Sequence, residues 1–309
     1  MAERSLTTNL ELATAPTDDV SVEDDWGLPL DLNLFAHQER HRIVIHEAQA
    51  SPVSIFIECV EALTPVDMMS LSSGTNDATG FRVWTGAVLL IASLDTLVED
   101  FKGKRVLELG CGTGIGGIAL MLSQHATPAF LCFSDADQNA LKLCRRNCEL
   151  NGLEEVDERL LQNLCSFTKK SFSIMQLTWG TTIPSTIPAR SMDTVVATDI
   201  LYDIEMLSSI LQTTMACLKP GGSFVLSHIP RASCPEHHQP DENLESFIVQ
   251  QAELHGLVLR RHIRPRDVSS FEDSQVFSDT LDTTSLRDME AIGAAILVFH
   301  LVVVQKNHV

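Results

Sequence analysis

Val106-Leu107-Glu108-Leu109-Gly110-Cys111-Gly112-Thr113-Gly114 runs from a buried-strand pattern into a glycine loop, and Ile115-Gly116-Gly117-Ile118-Ala119-Leu120 opens a helix directly after it. Glycines in that place let the backbone turn sharply and approach a ligand, while the helix amino terminus supplies unpaired N–H groups. Around this unit the chain alternates. Strand patterns fall at 105–109, 130–134, 174–178, 194–198 and 223–228, and helix patterns at 115–123, 137–150, 205–218 and 243–254. Such alternation implies a parallel sheet with right-handed crossovers. The end differs: 257–263 and 296–305 read as two strands with no helix pattern between them, a hairpin added to the sheet. Upstream, Trp84 to Val98 carries apolar residues at helical spacing, and alternating stretches from His41 and from Ser54 suggest a β-hairpin at the entrance. No internal repeat of 20–50 residues is present.

Composition sets limits on function. The 309 residues hold 22 Lys plus Arg against 41 Asp plus Glu, a net charge of −19, which excludes unaided wrapping of a nucleic-acid backbone. With 44% apolar and 20% charged residues the chain can bury a full core. Residues 1–40, with nine acids and two Arg, read as an acidic, mobile tail ahead of a domain at 41–309. An acidic insert at 264–290 holds seven acids and three Arg. Tail (2 − 9 = −7) and insert (3 − 7 = −4) together carry more than half of the net charge, which suggests docking of a basic protein segment. The first sixteen residues contain no apolar core of a secretory signal, so cytosol or nucleus is expected. The longest apolar run, 291–304, is too short to span a bilayer and reads as a strand, so no membrane partner is expected. Eight cysteines without a CxxC pair point to reduced core thiols.

Two cofactors use a glycine loop of this kind. Gly112, Gly114 and Gly117 satisfy the dinucleotide pattern GxGxxG, whereas Glu108, Gly110, Gly112 and Gly114 satisfy ExGxGxG, the first motif of class I S-adenosylmethionine methyltransferases. An acid before the first glycine favours the second, because a cationic amino-acid moiety gains from a nearby carboxylate and a pyrophosphate does not. Asp135, at the next strand tip, can accept both ribose hydroxyls of an adenosine, which NAD and S-adenosylmethionine share. Asp137 suits a helix cap.

Asp193 to Asp203 places Asp199 and Tyr202 at the carboxyl end of a further strand, the edge where doubly wound sheets bind ligands. Tyr202 is the single tyrosine beside 13 Phe and 3 Trp. An acid and an aromatic ring there could position a protonated lysine amine and help it shed its proton, or could be a cap and a core residue.

Together with Arg82-Val83-Trp84-Thr85-Gly86-Ala87 and Leu177-Thr178-Trp179-Gly180, the motifs Glu108–Gly114 and Asp199-Ile200-Leu201-Tyr202 (Asp-x-x-Tyr) resemble methyltransferase family 16. The resemblance spans roughly Phe81 to His228. It implies a Rossmann-like, seven-stranded class I S-adenosylmethionine-dependent methyltransferase fold, α/β with a mostly parallel sheet and an antiparallel carboxy-terminal hairpin. It implies that Trp84 borders the cofactor's amino-acid end, that Gly110, Gly112 and Gly114 cradle the methionine part and that Asp135 holds the ribose. Trp179 then packs on adenine, Thr198 approaches the cofactor by its backbone, and Asp199 with Tyr202 faces the target amine. Cys111 stands where many relatives have Ala. The tail and the insert have no counterpart in the pattern.

Weaker signals are assigned structural roles. Cys234 with His237 and His238 lacks a second ligand pair, so no metal is expected. Cys144 and Cys148, four apart, suit two buried thiols. Arg231 suits either the substrate mouth or a surface salt bridge. The expected activity is methyl transfer to a lysine of a non-histone protein. Arginine or histidine of a protein is the alternative within the fold; an NAD-binding oxidoreductase and a non-catalytic S-adenosylmethionine-binding module are the others.

Overall fold

Alternate residues of two entrance strands are buried, His41, Ile43 and Ile45 on β1 (Glu39–Ile45) and Ile55, Ile57 and Cys59 on β2 (Val53–Cys59), and the two pair antiparallel as a separate sheet. The computed structural model describes residues 39–60, 78–156, 171–231, 243–268 and 284–302. After the hairpin come α1 (Thr85–Ala92), α2 (Val98–Phe101), β3 (Arg105–Leu109), α3 (Ile115–Leu122), β4 (Phe130–Asp135), α4 (Gln138–Leu150), β5 (Glu154–Glu155) and β6 (Ser171–Gln176). Then follow β7 (Met192–Thr198), α5 (Met206–Cys217), β8 (Leu218–His228), α6 (Leu244–Leu254), β9 (Leu257–Ile263), α7 (Leu286–Ala291) and β10 (Ala295–Leu301).

The main sheet has the order β5-β6-β4-β3-β7-β8-β10-β9. All neighbours are parallel except β10, which runs antiparallel to both β8 and β9. After β3 the chain builds outward through β4, then returns to place β7 on the other side of β3, so the strand order reverses between β3 and β7. Side chains alternate between two apolar layers. Val106, Val196, Val225 and Val298 pack with α1 and α3, and Leu107, Val195, Phe224 and Leu297 with α5 and α6. Burial on both faces explains why these strands read as continuous apolar runs.

Polar side chains fasten the hairpin to this frame. Asn147 on α4 accepts from the Glu58 N–H at 2.8 Å and donates to the carbonyls of Glu58 and Thr113 at 3.0 and 2.9 Å, and Asn151 does the same for Phe56. The two asparagines thus take the place of a third strand along β2. Glu47 accepts from the Gln124 N–H at 2.7 Å and from Ser123 Oγ at 2.5 Å, at the end of α3.

Five expectations change. The helix expected over 84–98 ends at Ala92, followed by a 3₁₀ turn and α2. The chain turns there because Asp95 is committed to the Ala48 N–H at 2.7 Å and to His125 Nδ1 at 2.9 Å. The insert contains α7, one and a half turns capped by Ser285 on the Asp288 N–H, too short for an apolar period to show. Among the described residues the two-residue β5 joins the seven expected strands at the edge of the sheet. The strand expected at 174–178 begins at Ser171, and the one expected at 296–305 runs from Ala295 to Leu301. Residues 1–38, Cys165, the Cys234 to His238 stretch and 269–283 of the insert lie outside the described residues. No helix among the described residues is long and apolar enough to cross a membrane.

Candidate active site

Between β3 and β7 the strand order reverses, and the carboxyl edge at such a switch point is where open α/β sheets bind ligands. From β3 comes the glycine loop, with Gly110, Gly112 and Gly114 at φ 62°, 51° and 79°, a region other residues rarely adopt. Space demands glycine as well. A Cβ on Gly110 would lie 2.7 Å from Ile200 Cγ2 and 3.0 Å from Trp179 Cζ2, and one on Gly114 would lie 2.5 Å from Cys144 Sγ. The loop is therefore walled by Trp179 and Ile200 on one side and rests on Cys144 on the other. Cys111, Cys144 and Cys148 are free, buried thiols whose pKa values burial pushes up, so they stay neutral packing groups.

Glu108 lies fully buried on β3. Its Oε2 accepts the Gly117 N–H at 3.1 Å, and its Oε1 has no partner among the described residues. Burial, more than any other cause, pushes its pKa up to about 8. Gly116 and Gly117 make room for it, since a Cβ on either would lie 2.7 or 2.5 Å from a Glu108 oxygen. The glycine that completes GxGxxG thus seats a carboxyl group, which no pyrophosphate site needs.

Asp135, at the tip of β4, ties two loops together: Oδ2 accepts the Gly112 N–H and Oδ1 the Asp137 N–H, both at 3.0 Å. Burial raises its pKa. With the backbone N–H groups of Asp137, Gly112 and Ala136 acting on it, the carboxylate still keeps acceptor capacity for a ribose hydroxyl. Asp137 caps α4 by accepting the Asn139 N–H at 2.9 Å. Thr198 ends β7 opposite Ser227 of β8, with its Cγ2 beside Gly116.

Asp199 follows, a non-glycine residue at φ 58° and only 6% exposed. Its Oδ2 accepts the Gly86 N–H at 3.0 Å at the start of α1; its Oδ1 accepts the Ile229 N–H at 3.3 Å and meets Arg231 at 2.6 Å. Burial raises its pKa, against the lowering by Arg231 and the two N–H groups. Trp84 stands next to this knot, donating Nε1–H to the Thr79 carbonyl at 2.8 Å, with the guanidinium of Arg231 4.5 Å from its ring centre and that of Arg82 at 5.7 Å. Tyr202 is 49% exposed three residues on.

The fold thus gathers the residues expected from the sequence at one sheet edge: Trp84, the glycine loop with Glu108, Asp135, Trp179, Thr198, Asp199 and Tyr202. Asp199 is turned inward and Tyr202 faces out. Sequence reasoning did not single out Gly86, which packs on Asp199, or Ser227, whose Oγ donates to the Gly86 carbonyl at 2.6 Å. Asn147, which holds the loop carbonyl of Thr113, was equally hidden. Only the position of Gly86 inside the Trp84 motif signalled any of these.

A family model described as lysine methyltransferase matches residues 64–245. The chain belongs to that family. Among curated relatives it is 30% identical over 170 residues to protein N-lysine methyltransferase METTL21A of Danio rerio, covering 55% of this chain and 66% of that one. It is 27% identical over 176 residues to protein-lysine N-methyltransferase EFM3 of Chaetomium thermophilum, covering 55% and 48%. With histone-arginine methyltransferase METTL23 of Mus musculus it shares 27% over 134 residues, covering 43% and 46%. The matched region spans about half to two thirds of the length of these relatives. S-adenosylmethionine is the cofactor that a lysine methyltransferase family implies, and the residues present fit it. Glu108 Oε1 is, among the described residues, an unpartnered buried acceptor under the loop, suited to a cationic group, and Asp135 retains capacity for a ribose.

Proposed function

We propose that this chain is an S-adenosylmethionine-dependent protein methyltransferase whose target is a lysine side chain of a non-histone protein. The observation that supports this best is the pair of carboxyl groups at the two strand ends flanking the switch point. Glu108 lies buried under the glycine loop, and Asp199 is held in a left-handed turn. When bound, S-adenosylmethionine supplies a methyl group on a sulfonium, which a neutral amine displaces in line, leaving S-adenosylhomocysteine.

The glycine loop cradles the methionine part, Glu108 receives its ammonium, Asp135 the ribose hydroxyls, and Trp179 the adenine, whose face stacks well on an indole. Trp84 closes the amino-acid end, and Thr198 lines the floor by its backbone. Asp199 and Tyr202 serve the target: the exposed ring packs on the lysine stem, and the carboxylate attracts the ammonium and takes up its proton. No step calls for a metal. The partner is a protein with a basic segment, drawn to the acids of the tail and the insert, and the compartment is cytoplasmic, with the nucleus as a second site. Arginine is the second reading, favoured by the METTL23 relationship.

Thermal unfolding with S-adenosylmethionine and with NAD tests the cofactor: a rise in Tm with the former alone supports the proposal, and a rise with NAD alone contradicts it. Transfer of label from S-adenosylmethionine to a band in a protein extract, absent with Asp199→Ala, supports the activity.

A further inference from the structure

Resting on the proposed methyl transfer, we propose that Arg231 is the positioning residue of Asp199. It stands just past β8 and makes three contacts in one direction. Its Nη2 meets Asp199 Oδ1 at 2.6 Å and the Asp199 carbonyl oxygen at 3.3 Å, and its guanidinium carbon sits 4.5 Å from the centre of the Trp84 ring. Its own N–H donates to the Ile229 carbonyl at 2.8 Å, so the residue is anchored at both ends. The Arg231 side chain is 34% exposed and that of Asp199 is 2% exposed, which makes Arg231 the visible member of the pair at the mouth.

The contact acts through the lone pairs of the Asp199 carboxylate. Oδ1 has two acceptor positions, filled by Arg231 and by the Ile229 N–H. Oδ2 has one filled by the Gly86 N–H and keeps one. Arg231 therefore fixes which oxygen is left for the target, and by gripping the same residue's carbonyl it holds the left-handed turn from which Ile200 covers Gly110 and Tyr202 projects. A planar guanidinium suits this task, because it can donate to two oxygens while its face lies on an indole, which an ammonium cannot do. Among the described residues, Arg231 is the charged side chain that acts on the Asp199 carboxylate, beside the backbone N–H groups of Gly86 and Ile229. No other titratable side chain among the described residues hydrogen-bonds to that carboxylate.

The test uses the full chain with Arg231→Gln and Arg231→Lys. Three quantities are read: the rate of tritium transfer from labelled S-adenosylmethionine into a protein extract, the Kd for S-adenosylmethionine, and the titration midpoint of the Asp199 carboxyl carbon by NMR. For Arg231→Gln a drop in rate of about tenfold or more is expected with Kd within about threefold, as for an interaction used in the transferring complex. The Asp199 midpoint should move to higher pH, since a neighbouring cation is lost, and Arg231→Lys should recover part of both changes. A wild-type rate with an unmoved midpoint in Arg231→Gln overturns the inference. So does an equal loss of rate and cofactor affinity that Arg231→Lys does not relieve. Failure of the wild-type chain to bind S-adenosylmethionine strikes the proposed function instead, and the NMR midpoint still decides the Arg231–Asp199 coupling.

Discussion

Gly86 and Asp199 meet at 3.0 Å, backbone N–H to carboxylate Oδ2, and a Cβ on Gly86 would lie 2.9 Å from the Cβ of Asp199. Two residues 113 apart in sequence thus hold each other in place, with Ser227 closing the contact from β8. Gly86→Ala should push Asp199 out of its turn at a cost of about 1–3 kcal/mol, typical of overpacking. Label transfer should fall far more than stability, and paired measurements of Tm and transfer rate check this.

Glu108 makes stability depend on pH in a definite direction. Its pKa in the folded chain is pushed up to about 8 from 4.5, so the folded state holds a proton that the unfolded state has released between those values. The unliganded protein therefore loses stability as pH rises from about 4.5 through 8, on the order of 5 kcal/mol in all. Glu108→Gln should remove that slope and raise Tm at pH 8 while weakening S-adenosylmethionine binding. Chemical denaturation at pH 5 and pH 8, with and without cofactor, measures both.

His228 acts on the acid side. It is buried at the end of β8, neither ring nitrogen has a partner among the described residues, and burial first, then His262, lowers its pKa to about 4. The unfolded chain binds this proton from pH 6.5 downward and the folded chain resists it, so about 3 kcal/mol is lost between pH 6.5 and 4. A His228→Leu chain should show a flatter acid limb in denaturation midpoints.

Gly117→Ala probes the seat of Glu108. The new Cβ would fall 2.4 Å from Phe133 Cε1 and 2.5 Å from Glu108 Oε2, with packed strand on one side and helix on the other. We expect a loss of about 1–3 kcal/mol and a weaker grip on S-adenosylmethionine, read by calorimetry.

The sheet and the glycine loop were legible in the sequence because their signals are local. A five-residue strand with Val106, Leu107 and Leu109, three left-handed glycines and a helix start follow one another along a short stretch of chain. Asp199 and Tyr202 were legible as a motif, but not the burial of one and the exposure of the other, because Gly86, Ser227 and Arg231 reach Asp199 from distant segments. Glu108 was expected beside a cationic ligand, and its seat on Gly116 and Gly117 emerged only from packing. Elements too short to repeat a hydrophobic period, β5 and α7, left no pattern to read. The break after α1 depends on Asp95 meeting Ala48 and His125, contacts that spacing does not encode.

The most direct measurement of the central claim is mass spectrometry of a protein extract incubated with isotopically labelled S-adenosylmethionine and either the wild-type chain or Asp199→Ala. The account predicts labelled methyl groups on lysine in at least one protein, with the wild-type chain and not with Asp199→Ala. Labelling of arginine or histidine alone, or lysine labelling that persists in Asp199→Ala, would contradict it.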